Sequence, residues 1–170
     1  MREITRELKN RQRRISRPGA DTAVVNGDGM REALFKALTG VTADATPVNL
    51  AGFDGDAFLA LEDNQTCLVV AEVLVVRTGG VAVGGAVGYS KTFVIHALLQ
   101  RNVGAVNTVE IDTQVEISSL ESDPLGETDT WAAALVPDTT NGGIAVEATG
   151  EADKDLKWSA NLSVVLVQHG

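Results

Sequence analysis

Cysteine is nearly missing from this chain: Cys67 is the only one among 170 residues. No intrachain disulfide can form, which excludes the disulfide-stapled class of small secreted scaffolds. Long apolar runs are missing too. No stretch approaches the roughly 20 residues that a membrane helix needs, and no apolar segment follows the charged N-terminus as a secretory leader would require. These absences lead us to expect a soluble product of a reducing compartment with no membrane partner. Cys67 itself sits in the run Cys67, Leu68, Val69, Val70, where a buried, inert thiol is expected. Aromatic residues make up only 4 % of the chain. That is poor provision for carbohydrate-cleaving clefts, which are usually rich in them.

Val, Ala and Thr are abundant, and there are seventeen glycines. Val and Thr favour pleated surfaces and Gly supplies turns and bulges, so the composition points to an all-β body. The charge is unevenly divided. Residues 1–17 hold seven of the fourteen Lys and Arg against two acids, a balance of +5, which leaves −14 for the rest of a chain whose net charge is −9. A cationic arm on an anionic body suggests a chain that docks onto an acidic neighbouring surface.

Along the chain, residues 2–15 read as a helix with Ile4, Leu8, Arg11 and Ile15 on a thin apolar stripe, ended by Pro18 and Gly19. So narrow a stripe needs a partner surface. The segment 19–46 reads as a connector with a short helix over 29–38, bearing Met30, Leu34, Phe35 and Leu38 on one face and stopped by Gly40. From residue 47 the period changes to two. Strands are expected over 47–53, 57–62, 66–78, 86–101, 105–120, 130–136, 143–149 and 156–168, separated by Gly-, Asn- and Asp-rich turns. Three parts follow: a basic arm at 1–18, the connector at 19–46 and a β-sandwich domain at 47–170. The fold class is all-β, an antiparallel two-sheet sandwich of jelly-roll type with an N-terminal helical or extended arm.

Most strands alternate apolar and polar residues. The strand around 68–76 differs: Leu68, Val70, Leu74 and Val76 face one way and Val69, Val73 and Val75 the other. Glu72 apart, it is apolar on both faces: either it is central and covered twice or, the favoured reading, one face meets another subunit.

Catalytic constellations find little footing. His96 stands in a strand and His169 at the penultimate position, without the elements of a nucleophilic triad. One cysteine and two distant histidines make no zinc site. Oxygen-ligand sites at 26–29, at 54–56 and among Glu151, Asp153 and Asp155 lack the remaining ligands of a calcium loop, and turn chemistry explains them. Gly79-Gly80 and Gly84-Gly85 open no helix and precede no phosphate-binding Lys. We therefore expect no catalytic residues, no metal and no cofactor. The arm has no interleaved aromatics, so nucleic acid is disfavoured. Its expected role is interaction with protein through Arg2, Ile4, Arg6, Leu8, Lys9, Arg11, Arg13, Arg14, Ile15 and Arg17.

At the C-terminal end, four features recur together: a strand opened by Trp131, a hairpin from Asp138 through Asn141 to Gly142, a turn at Thr149-Gly150, and a last strand carrying Trp158. This pattern over about residues 56–168 resembles the β-sandwich domains of bacteriophage virions found in tail fibres and related particle proteins. The resemblance implies an adhesive or structural module, commonly trimeric, and transfers no functional residues. Such domains usually end a long fibrous chain. Here only a short arm and a connector precede the domain, which favours a small accessory coat component.

The expected function is therefore a structural protein of a tailed-phage particle, a capsid-decorating (cement) protein. It would oligomerise, with a trimer expected, and clamp neighbouring subunits such as the major capsid protein. Its place is the virion, assembled in the host cytoplasm. The alternative is a receptor-binding or tail-fibre module whose loops at 78–90, 121–129 and 150–155 contact the host surface.

Overall fold

In a computed structural model of the chain, the described residues are 24–25, 32–52, 55–57, 59–81, 87–102, 108–110, 115–122, 130–138 and 140–168. They form eleven strands and no helix: β1 (Val24–Val25), β2 (Glu32–Thr42), β3 (Val48–Asn49), β4 (Leu59–Ala60), β5 (Gln65–Gly79), β6 (Ser90–Arg101), β7 (Thr108–Glu110), β8 (Val115–Ser122), β9 (Ala132–Asp138), β10 (Gly143–Thr149) and β11 (Asp155–Gln168).

Every pairing is antiparallel. The large sheet runs β1-β2-β11-β5-β6, with β7 and β8 both pairing β6. In the small sheet β10 is central, with β9 along one side and the short strands β3 and β4 along the other. Thus the last long strand lies between β2 and β5, and β10 returns to β3: late strands pair with early ones.

Period-two alternation decides which side chains are buried. On β11, Leu156, Trp158, Ala160, Leu162, Val164 and Leu166 are buried; on β5, Cys67, Val69, Ala71, Val73 and Val75; on β6, Phe93, Ile95, Ala97 and Leu99. They share one core with Leu50, Leu59, Leu61, Leu135, Ile144, Val146 and Ala148 from the small sheet and its flanks. Within it Trp158 stacks near Phe93, with ring centroids 6.3 Å apart, and its indole Nε1 donates to Thr42 Oγ1 at 2.9 Å. A buried Trp thus finds its polar partner on the adjacent strand. Cys67 is wholly buried, and burial pushes its thiol up to about 12 despite a backbone hydrogen bond with Leu99. The thiol stays protonated and out of reach of solvent reagents.

The connector helix expected over 29–38 is not there. Glu32–Thr42 is an eleven-residue strand paired with β11 along its full length. A four-residue spacing fits both periods: residues 34 and 38 share a helix face and also a strand face. The long neighbour β11 settles the choice by supplying a ladder, which outweighs local propensity. Nor does Gly40 stop anything. It lies inside β2 against the buried Leu50, whose Cδ2 a Cβ at position 40 would meet at 2.6 Å. The β body therefore includes part of the stretch assigned to the connector. The helix expected over 2–15 lies outside the described residues.

Candidate functional site

Alternation that fills the core also sets the opposite face of the large sheet. Down β5 the outward side chains are Leu68, Val70, Glu72, Leu74 and Val76. In register beside them, β6 presents Leu98, His96, Val94 and Thr92, and β11 presents Val165, Ser163, Asn161 and Ser159. Leu68, Leu74, Val165 and Val167 are 42–45 % exposed, a high value for aliphatic side chains in the middle of a sheet. A shallow depression on this face is lined by Glu72, Leu74, Thr92, Val94, Ser159 and Asn161. Large side chains that gain nothing from water are thus displayed beside one carboxylate.

The body's charges are sorted by depth. Of its basic residues, Lys36, Arg77 and Lys154 are buried, Lys91 and Arg101 are half-buried, and Lys157 alone among the described residues is exposed. Asp44, Asp56, Glu62, Glu72, Asp153 and Asp155 are exposed. The described surface is therefore more anionic than composition alone suggests, and a charged partner for it must be cationic.

The inward bases hold the two ends of the body together. At one end Glu151 Oε2 accepts from Trp131 Nε1 at 3.1 Å and pairs with Lys154 Nζ at 2.9 Å. Lys154 also lies 5.9 Å from the centre of the Trp131 ring, which packs on Tyr89 at 4.6 Å between centroids. Gly80 belongs to the same end. Its φ of +99° suits glycine, and a Cβ there would collide with the Asp153 carbonyl. At the other end the Arg101 guanidinium donates to the carbonyls of Leu61 and Gly142 and pairs with Asp63 at 3.2 Å. This ties the end of β6 to the small sheet.

These contacts decide what the sequence-nominated positions do. Glu151 is committed to Trp131 and Lys154, so it does not join Asp153 and Asp155 as an ion site. No group of three or more His, Cys, Asp and Glu side chains suited to a metal occurs among the described residues. His96 is a half-buried outer-face residue opposite Val70. Trp131 and Trp158 are 3 % and 2 % exposed and pack in the core. The arm residues Arg2, Ile4, Arg6, Leu8, Lys9, Arg11, Arg13, Arg14, Ile15 and Arg17, together with His169 and the turn at 26–29, lie outside the described residues. The ladder at Arg101 and the bridge at Glu151 escaped the sequence reading. Leu61 is 40 positions from Arg101 and Trp131 is 20 from Glu151, so no local pattern marks those contacts, although Lys154 lies only three positions from Glu151.

The hairpin from Asp138 forms as its residues suggest. Asp138 Oδ1 accepts from the backbone N–H groups of Thr140 and Asn141, Oδ2 accepts from the Asn141 amide, and Gly142 takes φ 69°. The Asn141 side chain first, then the Asn141 and Thr140 amides, hold the carboxyl below its ordinary value. A lowered pKa in the folded state means that the ionised form stabilises the hairpin above the unfolded value. That contribution fades as pH falls through the folded value. An Asp138→Ala variant should melt below the parent at pH 7, and the gap should close toward pH 2. A gap independent of pH would show that the carboxylate's charge is irrelevant.

No protein-family model matches the sequence, and no curated protein is similar to it. Among solved structures, the chain is similar to the tailspike protein gp49 of Acinetobacter baumannii bacteriophage Fri1, a capsular polysaccharide depolymerase. The TM-score is 0.42 and the identity 8 %, and the match covers 98 % of this chain and 23 % of that one. A likeness of that size supports no inference from the tailspike's activity to this chain's.

Proposed function

We propose that this chain is a structural module of a tailed-phage particle, one that acts by docking rather than by catalysis and oligomerises through the outer face of its large sheet. The observation that carries the docking part is the row Leu68, Val70, Leu74, Val94, Leu98 and Val165 displayed around Glu72. A monomer gains nothing by exposing it, whereas an assembly buries it at about 25 cal/mol per Å². The phage part is supported by the resemblance of residues 56–168 to virion β-sandwich domains. A jelly-roll reading is supported by the pairing of β2 with β11 and of β3 with β10. The hairpins β5–β6 and β9–β10, each kept within one sheet, set this roll apart from a regular one.

Within the particle, the cement reading draws on the basic arm. A trimer remains the proposed assembly. The tail-fibre reading draws on a specific observation: two of the three loops nominated for host contact converge. Gly80 lies against Asp153, and Thr78 Oγ1 donates to the Asp155 carbonyl at 3.3 Å.

The test is imaging of tagged protein added to particles that lack it, in parallel with binding to whole host cells. Decoration of heads, lost on deleting residues 1–18, is the cement outcome. Binding to cells and labelling of tails is the fibre outcome. Attachment to neither, or turnover in a glycan-hydrolysis screen, would overturn the proposal.

A further inference from the structure

We infer that the outer face of the large sheet is the receptor for the basic arm of a neighbouring copy, residues 2–15, with Glu72 as its electrostatic anchor. This rests on the reading above, that the face is an assembly surface, and names what covers it.

Three observations select the occupant. The first is charge. Glu72 stands in the middle of an aliphatic row, and the exposed cation Lys157 lies opposite Val76, beyond the depression. Packing two such faces directly against each other would bury a carboxylate without a cation, which is costly. A cover must therefore bring apolar groups and positive charge together. In the described body the bases other than Lys157 point inward. Residues 2–15 offer six bases against two acids, with Ile4, Leu8 and Ile15 interspersed.

The second observation is length. From Leu68 to Leu74 the face extends about 20 Å along β5, at roughly 3.3 Å per strand residue. As a helix, Ile4 to Ile15 spans about 16 Å, at 1.5 Å per residue. The stripe fits the row with its flanking bases reaching over Glu72. The third is openness: Leu68 and Leu74 are 45 % and 44 % exposed, so the row has room for a cover. Each copy then gives an arm and receives one, an exchange that closes either as a reciprocal pair or as a ring.

The test uses the full chain. Lys9 is the sole lysine of the arm, so a carbodiimide can couple it to Glu72 when the two are in contact. Natural-abundance and 15N-labelled protein are mixed, coupled and digested. The expected result is a Lys9–Glu72 peptide pair carrying one label from each pool. In parallel, Glu72→Lys should raise the dissociation constant of the assembly roughly tenfold at low salt and less at high salt. Adding Lys9→Glu to that variant should recover part of the loss. Links within one label only would overturn docking between copies. An oligomer with no Lys9–Glu72 link and no response to Glu72→Lys would overturn the arm as occupant and leave the assembly reading standing. A chain monomeric at all concentrations would overturn both.

Discussion

Val73→Asp should unfold this protein, while Leu74→Asp, one residue along, should leave it folded and impair its assembly. Val73 is 2 % exposed and points into the core; Leu74 is 44 % exposed and points away from it. An unpaired carboxylate at 73 has no partner in an aliphatic interior, and the cost should exceed about 4 kcal/mol. That is a large share of the roughly 5–15 kcal/mol that holds a domain together. At 74 the same carboxylate meets water. In dilute protein, where assembly does not contribute, its melting temperature should stay within about 2 °C of the parent. At high protein concentration it should remain a single chain, because it places a second negative charge beside Glu72 on the proposed assembly face. Circular dichroism melts together with light scattering read both effects. Equal destabilisation by the two substitutions would mean that the sheet is not one-sided in the way described.

The second large effect is expected at Trp158. Its ring fills the core between Phe93 and β2 and is held by the hydrogen bond to Thr42. Trp158→Ala removes a large buried aromatic and leaves a cavity, with an expected cost of about 3–5 kcal/mol. Thr42→Val should cost less, about 1–3 kcal/mol, because it keeps the shape and strips the indole N–H of its acceptor. Urea melts with unchanged m-values give these numbers directly. A Trp158→Ala variant as stable as the parent would show that the two sheets do not pack through this residue.

Much of this architecture is legible in the residues because strands alternate. The faces of β11 follow from Leu156, Trp158, Ala160 and Leu162 set against Lys157, Ser159 and Asn161. The double-sided character of β5 follows from its aliphatic run, interrupted by Glu72. The described parts of the expected run over 105–120 are β7 and β8, both of which pair with β6. The misread stretch fails for a definite reason. Leu34 and Leu38 stand four apart, a spacing common to helix and strand, and the deciding contact is with β11, about 120 residues later in the chain. The same distance hides the site's electrostatics. Composition gives the body's net charge but not that Lys36, Arg77 and Lys154 point inward while Glu72 and Asp155 point out. Only the folded arrangement makes the surface so one-sided, and it leaves Glu72 exposed in the middle of an aliphatic row.

The most direct measurement is the molar mass of the full-length protein by light scattering across a hundredfold range of concentration at low and high salt. The account predicts a defined multiple of the chain mass that falls apart on dilution and more readily in salt. A single-chain mass throughout, with Leu68 and Leu74 left open to water, would contradict it.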